Sequence, residues 1–414
     1  MAPKKYKLMN SSTVSDPAVL IAREKLLQAV QLLERLDLDA WLVFVRETSL
    51  SKDPALELIY PHELTWHSAF LVQRDGASHA LVGRHDANNV ERLNTFTTVS
   101  GYDQSVRPML ADLLRRSGAR RLAINFSESD PAADGLTSGM RMTLEAIASE
   151  AGLQPAQLVS AESLVSSLRG QKSASELQLI RQAVATTERL LHDFGKRIAP
   201  GVTEQQLADY LHQRLQQDGL TTAWDWAGCP IVNTGPDSVI GHGAPSQLSV
   251  QPGHLVHVDF GVKQNGFCAD LQRMWYVLAP GEIAPPPAVL HIWKIVRGAL
   301  MVGLMALKPG VTGWEVDSVA REYLTRHGLP EYMHAYGHNV GRVAHDGGAT
   351  LGPRWERYGK SPYVPVEAGN VFAIELGAQV PGYGWVYLEE NALVTDDGAE
   401  LISTPQTELY LVQP

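Results

Sequence analysis

A repeat within the C-terminal half constrains the fold of this chain more than any other feature of its sequence. Residues 199–220 read "APGVTEQQLADYLHQRLQQDGL", and residues 308–329 read "KPGVTGWEVDSVAREYLTRHGL". Each copy places Pro-Gly-Val-Thr before a capping box, in which two side chains satisfy free N–H groups at a helix start. Further on, the stretches "GHLVHVDFG" and "GNVFAIELG" share one pattern: a glycine, five residues, an acidic residue, an apolar residue and another glycine. Because the order of helix and strand occurs twice, the sequence predicts two duplicated halves related by a pseudo-two-fold axis.

The first half predicts a β-hairpin that carries two aspartates. The Asn-Gly pair at residues 265–266 is a strong signal for a two-residue turn, because both turn residues must adopt positive φ. Counting outward from this turn pairs Asp259 with Gln272 and Gly261 with Asp270. Side chains alternate along a strand, so the two aspartates share one face, where Gly261 is expected to leave open space.

The second half predicts a matching hairpin that carries two glutamates. A three-residue loop at residues 381–383 would place Glu375 directly opposite Glu389. Glu375 occupies the position in this half that Asp259 occupies in the first half. Four carboxylates therefore converge near the pseudo-two-fold axis, and they would repel each other unless a cation lay between them.

Imidazole side chains follow in the segment "HAYGHNVGRVAHDGG", which contains His334, His338 and His345. An oxygen-rich site with one or two imidazoles suits Mn²⁺, Co²⁺ or Fe²⁺ better than a structural zinc ion. Four carboxylates also exceed what one ion needs, so two ions about 3–4 Å apart are expected. Such a pair activates water for hydrolysis at neutral pH.

The composition of the whole chain narrows the function classes. A formal charge of −10 argues against a nucleic-acid partner, which would require a basic face. The most apolar run, residues 296–307, is too short for a membrane span and contains Arg297. The N-terminus has no apolar stretch typical of a secretory signal, and only two cysteines occur. These features predict a cytoplasmic protein with neither a nucleic-acid nor a membrane partner.

The motifs "DFG…AD", "GHNVG", "AHDGG", "AIELG" and "VYLEEN", in this order, resemble the pita-bread metallopeptidases. The resemblance is to the branch that contains Xaa-Pro dipeptidase (prolidase) and Xaa-Pro aminopeptidase, and it covers nearly the whole chain. It implies an α/β (α+β) fold, with a creatinase-like N-terminal domain at residues 1–168. A pita-bread catalytic domain with duplicated halves would follow at residues 169–414.

The resemblance also implies two divalent ions, with Mn²⁺ expected first and Co²⁺, Fe²⁺ or Zn²⁺ as alternatives. Two of the ligands would bridge the ions, namely Asp270 and Glu389. Asp259 would complete the shell of one ion, and His338 with Glu375 would complete the shell of the other. The implied metal ligands are therefore Asp259, Asp270, His338, Glu375 and Glu389.

Further roles follow from the resemblance. Glu375 would take a proton from the attacking water and pass it to the leaving nitrogen. His345 would donate a hydrogen bond to the scissile carbonyl or the developing oxyanion. His242, in "IGHGAP", would line the leaving-group side of the substrate. His334 would either line the substrate pocket or pack against the protein.

One position departs from the family. Relatives usually have arginine two residues before the last glutamate ligand, whereas this chain has Tyr387. A tyrosine hydroxyl can bind a substrate through a hydrogen bond but brings no charge, so the preferred substrate length stays open. Two polar neighbours are expected to be structural: His257 as a satisfied core histidine, and Glu390 as a side chain that points away from the site.

The implied activity is hydrolysis of the Xaa-Pro bond in dipeptides. The alternatives are an Xaa-Pro aminopeptidase that acts on longer peptides, or a metal-dependent enzyme of another kind on the same fold. The resemblance further implies a homodimer or homotetramer that forms through the N-terminal domain. The expected partners are thus small Xaa-Pro peptides and further copies of the same chain.

Overall fold

The computed structural model describes residues 16–241 and 243–414. The chain divides into two compact units, of which the first ends at Leu168 and the second runs from Arg169 to Pro414.

The first unit is built around a mixed six-stranded sheet with the strand order β4-β3-β2-β1-β5-β6. Its elements are α1 Pro17–Arg35, β1 Ala40–Val45, α2 Leu56–Ile59, β2 Ser68–Gln73, β3 Ser78–Gly83, α3 Arg84–Leu93, β4 Thr98–Tyr102, α4 Arg107–Ser117, β5 Leu122–Ile124, α5 Ser138–Glu150, β6 Leu158–Ser160 and α6 Glu162–Gly170, and the last two residues of α6 belong to the second unit. Strand β2 runs antiparallel to both β1 and β3, whereas the remaining neighbours are parallel.

The central strand β1 shows why this sheet carries helices on both faces. Every residue of its sequence "AWLVFV" is buried. Trp41 and Val43 pack into one apolar cluster, while Leu42 and Phe44 pack into another. Because successive side chains point to opposite faces, a strand without polar residues requires apolar cover on each side.

The second unit contains a nine-stranded sheet and a three-stranded sheet. Its elements are α7 Ala174–Gly195, α8 Glu204–Asp218, β7 Thr221–Thr222, β8 Ile231–Thr234, β9 Leu255–Phe260, β10 Val262–Gln264, β11 Phe267–Cys268, β12 Leu271–Val277, α9 Pro287–Ala306, α10 Gly313–Arg326, β13 Gly337–Asn339, β14 Thr350–Leu351, β15 Val371–Val380, β16 Gly384–Val394, β17 Ala399–Leu401 and β18 Tyr410–Val412. The larger sheet has the order β14-β13-β15-β16-β12-β9-β8, with β17 paired to β16 and β18 paired to β12.

The predicted duplication is present in this unit. Helices α8 and α10 both begin with the predicted capping box, at Thr203 and Thr312 respectively. Each of these threonines also forms an isolated β-bridge, with Ser249 in the first half and Pro365 in the second. The hairpins β9–β12 and β15–β16 meet in the middle of the larger sheet, where β12 pairs with β16. The two halves thus share one sheet across their junction.

The hairpin of the first half is interrupted, which corrects one expectation. Asp259 pairs with Gln272 as predicted, but the ladder breaks at Gly261, and the tip of the hairpin joins the smaller sheet. The expected open space beside Gly261 is wrong: a Cβ there would lie 2.0 Å from the Ala269 carbonyl oxygen and 2.8 Å from the Ala223 Cβ. Glycine is required here because two backbone segments approach closely.

Helix α9 is the one helix of the described ranges that is long and apolar enough to cross a membrane. In this fold, its residues Val289, Val296 and Leu300 lie in the same apolar cluster as Phe372 and Ile374 of β15. The helix therefore uses its apolar surface to cover the sheet that carries the acidic residues.

Candidate metal centre

The predicted acidic residues form a row across the larger sheet. Glu389 of β16 lies opposite both Glu375 of β15 and Gln272 of β12, and Gln272 in turn lies opposite Asp259 of β9. Residues that are directly opposite on neighbouring strands share one face of a sheet. The pairing of the two hairpins therefore brings three carboxylates and one amide to the same face.

Asp270 and His338 complete the cluster. The Nε2 atom of His338 lies 3.9 Å from Asp270 Oδ2, 3.9 Å from Glu375 Oε1 and 3.9 Å from Glu389 Oε1. One ligand atom from each of Asp270, His338 and Glu389 falls within 4.8 Å of the others. The five predicted ligands thus come together from three segments of the chain, namely the two hairpins and strand β13.

The orientation of His338 leaves its Nε2 atom available as a ligand. Its Nδ1 atom lies 3.0 Å from the carbonyl oxygen of Ala344. Because a carbonyl oxygen can only accept, Nδ1 carries the proton and Nε2 directs a lone pair toward the carboxylates. Burial, and then the neighbouring His345, lower the pKa of His338 to about 3, so the ring is neutral.

Three buried carboxylate oxygens lack a hydrogen-bond partner among the described residues: Asp259 Oδ1, Asp270 Oδ1 and Glu389 Oε2. Burial raises the pKa of each of these carboxyls well above its ordinary range, and repulsion from neighbouring carboxylates adds to the shift. Burial also raises the pKa of Glu375 to about 7. Unsatisfied carboxyl oxygens around one imidazole lone pair fit a site for divalent metal ions, whose charge would favour the ionised carboxylates.

Asn391 supports the centre at the point where the first hairpin is interrupted. Its Oδ1 atom accepts the backbone N–H of Asp270 at 3.2 Å, and its Nδ2 atom donates to the backbone carbonyl of Asp270 at 2.9 Å. This side-chain amide satisfies the two backbone groups that the broken ladder leaves at Asp270. Its place two residues after Glu389, on the same face of β16, was the only signal for it in the sequence.

His345 lies beside the cluster and is exposed, between the buried residues Ala344 and Asp346. Its ring centroid is 4.1 Å from that of His338. The next residue, Asp346, is buried and forms ion pairs with Arg169 at 2.5 Å and Lys172 at 3.0 Å. Burial alone would raise the pKa of Asp346, but these two cations lower it below its ordinary value. The ion pairs therefore fix the loop that presents His345.

Aromatic rings border the site near Glu375. The Tyr387 ring lies 5.4 Å from that of His257 and 6.3 Å from that of Tyr332. Burial, and then the charge of Glu375, raise the pKa of both tyrosines, so both hydroxyls stay protonated. The sequence offered no signal that distinguished Tyr332 from other aromatic residues.

The remaining candidates fall in different places. His334 is exposed, and its ring lies 5.6 Å from that of Tyr332. His242 is outside the described residues. His257 is a buried histidine with an amide partner at each ring nitrogen, as expected. Glu390 also behaves as expected, because it points away from the site and accepts a hydrogen bond from Arg273 at 3.0 Å.

Comparison with known proteins identifies the family of this chain. Residues 178–396, more than half of the chain, match the model of metallopeptidase family M24. The chain belongs to metallopeptidase family M24, and it is a hydrolase of the peptidase class.

Among similar proteins, an Xaa-Pro dipeptidase of Pyrococcus furiosus is 28% identical over 250 residues, which cover 60% of this chain and 67% of that protein. An Xaa-Pro dipeptidase of Lactobacillus delbrueckii subsp. lactis is 30% identical over 244 residues, which cover 58% of this chain and 62% of that protein.

Among solved structures, an Xaa-Pro dipeptidase from Bacillus anthracis superposes with a TM-score of 0.71 at 23% identity, over 94% of this chain and 100% of that one. An X-Pro aminopeptidase from Thermotoga maritima gives a TM-score of 0.70 at 23% identity, over 92% and 99% of the two chains. These likenesses confirm the predicted pita-bread fold with its additional N-terminal domain.

We expect the stability of the metal-free protein to fall as the pH rises from about 5 to about 8. The raised pKa of Glu375, about 7 against 4.5, means that the folded protein holds a proton which the unfolded chain has released. The free energy of unfolding therefore decreases with pH through this window, and the more strongly shifted carboxyls extend the decrease upward. Added Mn²⁺ competes with these protons for the carboxylates, so it should raise the melting temperature most at the high end of this pH range.

Differential scanning calorimetry with chelator or with Mn²⁺ across this pH range measures both effects. The variant Glu400→Gln, which removes an exposed carboxylate, should follow the wild-type curve. A melting temperature that stays constant or rises with pH in the chelated protein would contradict the prediction.

Proposed function

We propose that this protein hydrolyses the Xaa-Pro bond of dipeptides at a two-metal centre. The observation that carries the proposal is the row of carboxylates with unsatisfied buried oxygens, facing the Nε2 atom of His338. The similarity to two proteins named Xaa-Pro dipeptidase supports the choice of substrate.

Five residues of this chain would hold the ions. Asp270 and Glu389 lie in the middle of the cluster and would bridge them, while the outer ligands Asp259, His338 and Glu375 would complete the two shells. When bound, the ions supply an activated water and polarise the scissile carbonyl.

Glu375 is the ligand that we assign to proton transfer. Its side chain is 22% exposed, against 7% for Asp270 and 2% for Glu389. A carboxylate that must take a proton from water and give it to the leaving nitrogen has to reach the substrate. Glu375 therefore fits this role better than the two central carboxylates. The exposed His345, which lies beside His338, would donate to the developing oxyanion.

A second candidate function is supported by the surroundings of Tyr387. Tyr387 stands where relatives have an arginine, and its ring contacts those of His257, Tyr332 and Trp385. The carboxylate of a dipeptide's proline would find no charged partner in the Tyr387 side chain, whereas a longer peptide places its carboxylate further out. This observation favours an Xaa-Pro aminopeptidase.

The test compares two peptides with protein that has been stripped of metal and reloaded with Mn²⁺. Cleavage of Ala-Pro supports the dipeptidase, whereas cleavage of Ala-Pro-Ala alone supports the aminopeptidase. Ala-Ala serves as the control without proline. A protein that cleaves neither proline peptide, or cleaves Ala-Ala equally well, would refute the proposed specificity.

We also propose that Mn²⁺ is the native metal and that His242 lies on the leaving-group side of the substrate. The protein would be a cytoplasmic homodimer or homotetramer that forms through the N-terminal domain. Metal analysis of the purified protein tests the first point. Light scattering on a size-exclusion column tests the assembly.

We expect Tyr387→Phe to lower kcat/KM for Ala-Pro several-fold and to affect Ala-Pro-Ala less. The ring lies against Gly377, where a Cβ would be 2.3 Å from the tyrosine Cδ1 atom, so phenylalanine should keep the packing. The variant then loses one hydroxyl hydrogen bond, worth about 0.5–1.5 kcal/mol, which acts on the nearer carboxylate of the dipeptide.

Steady-state kinetics on both peptides measures this difference, with the exposed Tyr363→Phe as the matched control. Equal losses on the two peptides would show that Tyr387 does not sense the carboxylate. The absence of any loss would reduce Tyr387 to a packing role.

A further inference from the structure

A buried amide separates the acidic residues within the row across the sheet. Gln272 lies between Asp259 and Glu389, and its Nε2 atom donates a hydrogen bond to Glu375 Oε2 at 3.0 Å. The other oxygen of Glu375, Oε1, is the one that lies 3.9 Å from His338 Nε2. Gln272 thus holds one oxygen of Glu375 and leaves the second directed at the centre.

Gln272 is itself held by two further buried side chains. His257 Nε2 contacts the side-chain amide of Gln272 at 3.1 Å, and His257 Nδ1 lies 3.1 Å from Asn233 Oδ1. The Nδ2 atom of Asn233 donates to Ser238 Oγ and to the carbonyl oxygen of Val239, both at 2.9 Å. These two bonds determine which end of the Asn233 amide faces His257. Both ring nitrogens of His257 face amide oxygens, so a neutral imidazole donates a hydrogen bond to one of them and only contacts the other. The four side chains form a continuous chain of contacts that ends at Glu375.

We propose that Gln272 is a positioning residue for Glu375, and that His257 and Asn233 act through it. A carboxylate that is free to rotate loses conformational freedom when it binds an ion, whereas one already oriented does not. An arginine or lysine in place of Gln272 would also orient Glu375, but its charge would compete with the metal. A neutral amide orients the carboxylate and leaves its negative charge available. The inference rests on the proposed metal centre.

The test is Gln272→Met, which keeps the length of the side chain and removes the donor. Titration calorimetry of metal-free protein with Mn²⁺ should show two ions bound by the wild type. In the variant, we expect the weaker-bound ion to lose about 10–100-fold in affinity. At saturating Mn²⁺, kcat should fall while KM stays close to the wild-type value, because Gln272 is buried and acts through Glu375.

A second variant separates positioning from a general structural role. His257→Phe keeps a ring against Tyr387 and removes the polar contacts of both ring nitrogens, so it should weaken Mn²⁺ binding in the same direction by a smaller factor. If His257 acts through Gln272, the double variant should bind Mn²⁺ no more weakly than Gln272→Met alone. Additive losses would show that His257 acts independently and would overturn this part of the proposal.

The matched control is Gln379→Met. Gln379 is exposed and lies four residues after Glu375 on the same face of β15, so its variant should bind Mn²⁺ like the wild type. Wild-type affinity and kcat in Gln272→Met would overturn the proposal. Because calorimetry needs no peptide, a wild type that binds Mn²⁺ but cleaves no Xaa-Pro peptide would refute only the substrate. A wild type that binds no Mn²⁺ would refute the centre and this inference together.

Discussion

Replacing Asp270 with asparagine should abolish peptidase activity while the fold stays intact. Asp270 is buried, lies among the other carboxylates and would bridge the two ions. Loss of a residue that only supports a ligand typically costs about 10–100-fold in metal affinity or activity, and loss of a bridging ligand should exceed this. The side-chain amide of Asn391 forms hydrogen bonds with the backbone of Asp270. An asparagine side chain at position 270 therefore leaves these two bonds in place.

The stability of the Asp270→Asn variant distinguishes a lost ligand from a damaged fold. Burial and nearby carboxylates raise the pKa of Asp270, so its charge destabilises the metal-free protein at neutral and higher pH. The variant should therefore melt no earlier than the wild type in chelator, but it should lose the stabilisation by Mn²⁺. Asp396→Asn, an exposed change in the same unit, serves as the control. Wild-type turnover in Asp270→Asn, or full activity after exhaustive chelation, would end the two-metal interpretation.

Replacing His345 with alanine should lower kcat by about 10²–10³-fold, with the metal content unchanged. This is the usual cost of removing one donor to a developing oxyanion. The loop should keep its position, because the Asp346 side chain is held by Arg169 and Lys172, and the Asp346 N–H donates to the carbonyl oxygen of Asn339 at 2.9 Å. The His345→Ala substitution therefore tests the contribution of the imidazole to kcat and leaves the loop conformation unchanged.

The measurement pairs steady-state kinetics with metal analysis of the same preparation. His291→Ala, at an exposed position on α9, is the matched control. If His345→Ala loses metal, then His345 is a ligand, and the assignment of His338 must be revised. A wild-type kcat would remove His345 from the reaction.

The positions of acidic residues within each hairpin could be predicted from the local sequence alone. The alternation of side chains along a strand and the geometry of the turns placed Asp259 opposite Gln272 and Glu375 opposite Glu389, and the structure has both pairs. The capping boxes at Thr203 and Thr312 are likewise present. Each of these pairs and capping boxes depends on residues that are close in sequence, so each can be predicted from the order of residues along the chain.

The same local rules failed at Gly261. Counting from the turn assumed one continuous ladder, whereas the hairpin divides between two sheets, and Ala223 and Ala269 fill the space beside the glycine. The packing partner Ala223 belongs to a separate segment, which nothing within the hairpin identifies. The predicted pairing of Asp259 with Gln272 is correct because the turn sets the register of the hairpin. The turn does not determine which residues of other segments pack against the face that carries the aspartates.

The sequence by itself determined the duplicated halves, the two hairpins and the residues with ligand chemistry. Only the tertiary structure decided how those residues meet. The hydrogen bond between Gln272 and Glu375 joins positions that are 103 residues apart, and the hydrogen bond between Asp270 and Asn391 joins positions that are 121 residues apart. Both depend on the pairing of β12 with β16, for which neither hairpin carries a local signal. The physical reason is that turns and side-chain alternation are set by neighbours in the chain, whereas the register between distant strands is set by the packing of the whole sheet.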